Sequence, residues 1–185
     1  MSILINPKSV NPRRTKNQSG FTIIEILVVV LMVGIVGAIA APTWLMFANR
    51  QKVRTVNDRV FNAIQEAQSR AQLTSLGRSL EFGEPRGIPA YRIYLTTTKD
   101  DELPDWQTLD VNGEINEGQI TLRVVAPGGD NILEFDHLGV VLNTIKEDDP
   151  FWVVVSSADN SVTHCVAVRT RLLSTQRLEG DDCNP

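Results

Sequence analysis

Apolar positions along this chain change period more than once. From 21 to 48 the sequence FTIIEILVVVLMVGIVGAIAAPTWLMFA is apolar almost without interruption and carries one charge, Glu25. About 20 apolar residues at 1.5 Å each cover the roughly 30 Å hydrocarbon core of a bilayer, so the run from Ile23 onward predicts a membrane-spanning helix. A core helix of a soluble domain is seldom apolar on every face. Beyond it, Val53, Val56, Val60, Ile64, Ala67 and Ala71 recur at steps of three or four, the spacing of an amphipathic helix. Arg54 with Asp58 and Glu66 with Arg70 are placed on its polar side as i, i+4 ion pairs. Gly77 then serves as a stop, which predicts one stem helix over 21–76, about 80 Å along its axis.

The remainder, 77–185, reads as short strand-like runs at 80–82, 91–97, 120–125, 133–135, 140–142, 152–156 and 165–169, separated by turn residues. The apolar stripe of the helix needs a sheet to cover it. The expected fold is therefore α+β: a long N-terminal helix, apolar in its first half and amphipathic in its second, packed on an antiparallel sheet or small β-sandwich head. Between Thr98 and Gly118 the chain is acidic and longer than an ordinary connection, so it reads as a loop outside the core. Within it Asp110, Asn112 and Glu114 alternate around Gly113, a partial oxygen-ligand pattern for calcium from which the rest of the binding loop is missing.

The charge balance changes this picture at the N-terminus. The 185 residues carry 18 Lys and Arg against 22 Asp and Glu, a net charge of −4. Lys8, Arg13, Arg14 and Lys16 all fall in the first 20 residues, which contain no acid; without them 14 basic face 22 acidic residues, a net of −8. A product of that charge repels polyanions unless a local basic patch works against the average field. A basic start followed by an apolar run also has the outline of a secretory signal with a small-residue cut near Ala38 to Ala41. Against that, the run exceeds a signal-peptide core and bears a carboxylate near its start. At membrane depth such a carboxylate needs a countercharge, a proton or access to water near the headgroups. Asn17-Gln18-Ser19 fits a glycosylation pattern but lies in the basic leader, where it is discounted.

Ser19-Gly20-Phe21-Thr22-Ile23-Ile24-Glu25 and the apolar stretch after it resemble the N-termini of type IV prepilins and type II secretion pseudopilins. The resemblance implies a leader over 1–20, removed by a prepilin peptidase that cuts between Gly20 and Phe21, and N-methylation of the new amine on Phe21. It further implies that Glu25 pairs with the N-terminal amine of a neighbouring subunit during assembly, which supplies the countercharge. Pro42 falls where that family commonly carries proline. It removes one backbone hydrogen bond and, with Gly34 and Gly37, predicts a kinked or locally softer helix. Residues 21–48 are then a single transmembrane anchor in the bacterial inner membrane and later the filament core, with the head outside the cytoplasm. The implied partners are other pilin or pseudopilin subunits.

In the head, Leu133-Glu134-Phe135-Asp136-His137-Leu138-Gly139-Val140-Val141 and the tail from Cys165 to Cys183 resemble the GspH/FimT-type minor pilins. The two cysteines are read as a disulfide, which suits an exported protein and closes a loop of about 19 residues worth roughly 3 kcal/mol, or else as two free thiols. Arg169, Arg171 and Arg177 cluster near the C-terminus. Some minor pilins of this kind take up DNA through arginines in that region, and on a strand Arg169 and Arg171 would share one face, as phosphate contacts require. The Gly-Arg-x-Arg pattern associated with that activity is absent, and Glu179, Asp181 and Asp182 follow at once.

No set of nucleophile, base and orienter is legible, and no cluster of metal ligands. The histidines are His137 and His164; His164 adjoins Cys165, but adjacent strand residues point to opposite faces. The sequence thus reads as a non-enzymatic structural subunit without cofactor or metal, a minor pilin of a type IV pilus. A type II secretion pseudopilin and a DNA-binding minor pilin are the alternatives within the resemblance. A membrane-anchored binding protein, uncut at Gly20, is the alternative outside it.

Overall fold

The computed structural model describes residues 20–110, 113–143, 145–146 and 148–185. The chain divides into two compact units, Met1–Pro42 and Thr43–Pro185, taken here one at a time.

In the first unit the described backbone enters helix α1 (Ile23–Thr74). Thr22 caps it: its hydroxyl accepts the Glu25 N–H at 3.2 Å and its carbonyl accepts the Ile26 N–H at 3.2 Å. Thr-x-x-Glu before an apolar run is the sequence of a capping box, and the bond from Glu25 N–H forms one half of it. Every residue from Phe21 to Ala40 is exposed within this unit.

The second unit begins with the rest of α1, whose apolar stripe is buried as its spacing predicts: Val53, Val56, Val60, Ile64, Ala67 and Ala71 lose all contact with solvent. The helix stops earlier than Gly77. Ser75 takes a left-handed conformation (φ 53°), its N–H bonds to Gln72 O, and Leu76 N–H reaches back to Ala71 O at 3.3 Å. This is a Schellman-type ending with serine at the position glycine usually holds. Gly77 is needed for a different reason. A Cβ there would stand 3.2 Å from Thr96 Oγ1 and 3.3 Å from Phe135 O.

Among the described residues eight strands follow: β1 (Arg78–Gly83), β2 (Ala90–Leu95), β3 (Gln107–Thr108), β4 (Ile120–Val125), β5 (Ile132–Phe135), β6 (Phe151–Ser157), β7 (Thr163–Val168) and β8 (Thr175–Glu179). They form two four-stranded sheets of order β3-β2-β1-β5 and β4-β6-β7-β8, with every pair antiparallel. Leu80, Phe82, Leu133 and Phe135 from the first sheet, Ile120, Val153, Val155, Val166 and Val168 from the second, and the α1 stripe share one core. Strand β6 is buried on both faces. Its other face carries Trp152 and Val154, which pack with Cys165 and Ala167 in a separate cluster under Val125, Leu178 and Cys183.

Three expectations for the head are corrected. Residues 140–142 are not a strand; Val141 makes only an isolated bridge to Phe135. Strands β3 and β8 were not anticipated. The segment after Thr98 is not wholly outside the core, because Leu109 is fully buried and Ile115 nearly so.

Strand borders are closed by side chains. Asn143 lies along β5, accepting the Glu134 N–H at 2.7 Å and donating to Ile132 O at 3.0 Å, so it imitates a paired strand residue. At β4 the Glu84 carboxylate accepts the Leu122 N–H.

Candidate functional site

The residues that carry the N-terminal reading lie at the start of the first unit. Gly20 and Phe21 precede the helix and are exposed, Phe21 to 78%. Ser19 and the basic segment before it, expected to be a leader, lie outside the described residues. Glu25 sits in the first turn of α1, where the partial positive charge of a helix N-terminus favours a carboxylate. Among the described residues its carboxylate has no hydrogen-bond or ion-pair partner. Glu25 falls within Ile23–Ala40, an 18-residue window of mean hydropathy 2.9 in which no residue is buried. By its length and composition such a helix can cross a membrane. The backbone of Pro42 is assigned to α1, and its side chain lies outside what is described.

The three C-terminal arginines do not form a common face. β7 ends at Val168, so Arg169 and Arg171 lie in the turn before β8 rather than on alternate positions of a strand. Arg169 lies over the Trp152 ring at 5.9 Å. Arg171 donates through Nε to Val141 O at 3.0 Å, and its own carbonyl accepts the Val141 N–H at 2.9 Å. Arg177, on β8, pairs with Asp58 at 2.9 Å and stacks over Phe61 at 4.6 Å. That contact also corrects the helix pairing. Glu66 and Arg70 do meet as an i, i+4 pair at 2.5 Å, but Asp58 is held by Arg177 and not by Arg54.

Cys165 and Cys183 are joined, with Cα atoms 5.7 Å apart. The bond fastens the short 3-10 turn Gly180–Asp182 against the second face of β6 and β7. His164 is nearly buried on β7, its Nδ1 3.6 Å from Glu179 Oε1; His137 is exposed in the turn after β5. Of the partial calcium pattern, Asn112 lies outside the described residues. The Asp110 carboxylate is turned to its own loop, accepting the N–H of Glu114 at 3.2 Å and of Ile115 at 3.1 Å. Among the described residues no three His, Cys, Asp or Glu side chains come together as a metal site would need.

One cluster was not read from the sequence. On the outer side of the first sheet the Arg92 guanidinium lies 4.5 Å from the Trp106 ring and 5.9 Å from the Tyr94 ring, and pairs with Glu81 at 2.7 Å. Burial first, then the neighbouring Glu81 carboxylate, pushes the Tyr94 phenol up to about 12. Gly83 makes room for the indole, since a Cβ there would stand 2.7 Å from Trp106 Cη2. The alternation of Arg92 and Tyr94 was the available signal, but Glu81 is joined to it only by the register of β1 with β2, and Trp106 only by its place just before β3, which pairs with β2.

The chain matches the prokaryotic N-terminal methylation motif over residues 15–41. Its N-terminal segment, from before the Gly20–Phe21 junction through the apolar helix, is therefore of the prepilin type. No curated protein matches the chain. Among solved structures it is similar to the minor pseudopilin EpsH from the type 2 secretion system of Vibrio cholerae, at 11% identity over 69% of this chain and 97% of that one, with a TM-score of 0.46.

Proposed function

We propose that this chain is a structural subunit of the minor-pilin type, made as a prepilin and assembled into a filament through its N-terminal helix. The observation that carries the reading is the apolar window Ile23–Ala40, exposed on every side and carrying one carboxylate near its start, within the matched methylation motif. In this reading prepilin peptidase cuts between Gly20 and Phe21 and the Phe21 amine is methylated. The helix then holds the subunit in the inner membrane until neighbouring apolar helices replace the lipid. Glu25 pairs with the N-terminal amine of an adjacent subunit, an ion pair that offsets the cost of a lone carboxylate at that depth. Pro42 removes one backbone bond of α1 and loosens the helix there. The Cys165–Cys183 bond suits a head held outside the reducing cytoplasm.

Filaments of the pilus kind and of the type II secretion kind use the same N-terminal chemistry, and co-purification with one machinery or the other separates them. The reading itself is tested by intact mass and N-terminal peptide mapping of the protein purified from its native membrane. The expected product begins at N-methylated Phe21. An intact leader, or a cut near Ala41, would remove the processing, the Glu25 pairing and the assembly route together.

A further inference from the structure

Between Glu25 and Asp58 the chain has no acidic residue, yet it carries Arg50, Lys52 and Arg54, a basic band in a sequence that is otherwise acidic once the leader is set aside. Arg50 and Arg54 are exposed, and among the described residues neither has an ion-pair partner, Asp58 being taken by Arg177. Among the described residues Lys52 bonds neutral acceptors, Glu114 O at 2.8 Å and Gln119 Oε1 at 3.3 Å. Just ahead of this band Trp44 and Phe47 are exposed to 70% and 53%, with ring centroids 6.1 Å apart. Phe47, Arg50 and Arg54 follow one another at steps of three and four on α1, and therefore share one side of it.

Position along the chain says what meets this side. Trp44 is four residues past the end of the apolar window at Ala40, within about 14 Å of it however the backbone runs. Counted from Glu25, whose carboxylate needs water, about 20 helical residues cover a bilayer core and end near Trp44 and Phe47. Aromatic residues favour that interfacial depth. Helical side chains lean toward the N-terminus, so Arg50 and Arg54 reach back toward the lipid phosphates and not away from them.

We infer that Trp44, Phe47, Arg50 and Arg54 form a docking surface for anionic phospholipid headgroups on the head side of the membrane. The inference rests on the membrane reading above. Lys52 is left out of it because its ammonium is turned to the head, bonded to Glu114 O and Gln119 Oε1. While the subunit waits in the membrane, the surface holds the base of the head against the bilayer, and leaving for the filament requires exchanging those lipid contacts for protein.

The test uses the full chain in nanodiscs containing both phosphatidylcholine and phosphatidylglycerol, with retained lipids counted by native mass spectrometry and Trp44 depth read by brominated-lipid quenching. The unmodified chain is expected to retain phosphatidylglycerol several-fold over phosphatidylcholine. The double variant Arg50→Gln, Arg54→Gln is expected to insert equally well and lose that preference, and Trp44→Phe to lose most of the quenching. Equal retention of the two lipids by an inserted wild-type chain overturns the inference and leaves the membrane reading standing; failure to insert at all overturns both. A double variant that keeps the lipid preference but no longer joins filaments also overturns it, because the arginines then serve a neighbouring subunit.

Discussion

At Asp159 three hydrogen bonds converge on one carboxylate: the Ser157 hydroxyl at 2.6 Å, the Ser161 hydroxyl at 2.8 Å and the Ser161 N–H at 3.2 Å. They hold the acid down at about 2, Ser157 contributing most. A folded value below the ordinary one means that the stabilisation is complete above the ordinary carboxylate range and is lost as pH falls through the folded value. The melting temperature of wild type should therefore exceed that of Asp159→Asn at neutral pH. The gap, followed by circular dichroism, should close between about pH 4 and pH 2. Arg177 gives a different expectation. Its pair with Asp58 is about half exposed on both sides, so Arg177→Ala should cost only about 1 kcal/mol in urea unfolding, from the weak ion pair and the lost stacking on Phe61.

Among the elements, the C-terminal tail depends most on one bond. Separating Cys165 from Cys183 by a double serine substitution should lower unfolding stability by about 3 kcal/mol, measured by denaturant titration against the oxidised protein. How far each element could be read beforehand follows from how local its cause is. The α1 stripe was legible because Val53, Val56, Val60 and Ile64 repeat the helix period within one short stretch, and the N-terminal motif because its chemistry lies in consecutive residues. β8 was not, since TQRLE has no apolar alternation and exists as a strand only through its register with β7. Leu109 and Ile115 stand nearly alone among polar residues, and nothing nearby marks them as core. The helix end was misplaced by two residues because serine took the left-handed position where glycine was expected. Arg169 and Arg171 do not share the strand face that their alternation suggests, for a non-local reason: Trp152 and Val141 claim them from distant parts of the chain, as Asp58 claims Arg177.

For the whole molecule, the proposed division of labour gives the apolar first half of α1 the work of assembly and leaves the head, which keeps the second half of α1 in its core, folded independently of that first half. Glu25→Ala should then leave membrane insertion and the unfolding of the head unchanged, while filament incorporation, scored by shearing and immunoblotting, falls steeply. The two sheets bear on this through their borders. β3 has two residues, Asn143 occupies the outer side of β5, Glu84 takes an N–H of β4, and β8 lies beside α1 with Arg177 on Asp58. Heads finished in this way have little backbone left with which to recruit a strand from the next copy. In the filament proposed above, heads of this kind would stay unpaired at their strand borders however densely they are crowded, so that a subunit could join or withdraw by sliding its helix, with no shared ladder of amides to unzip.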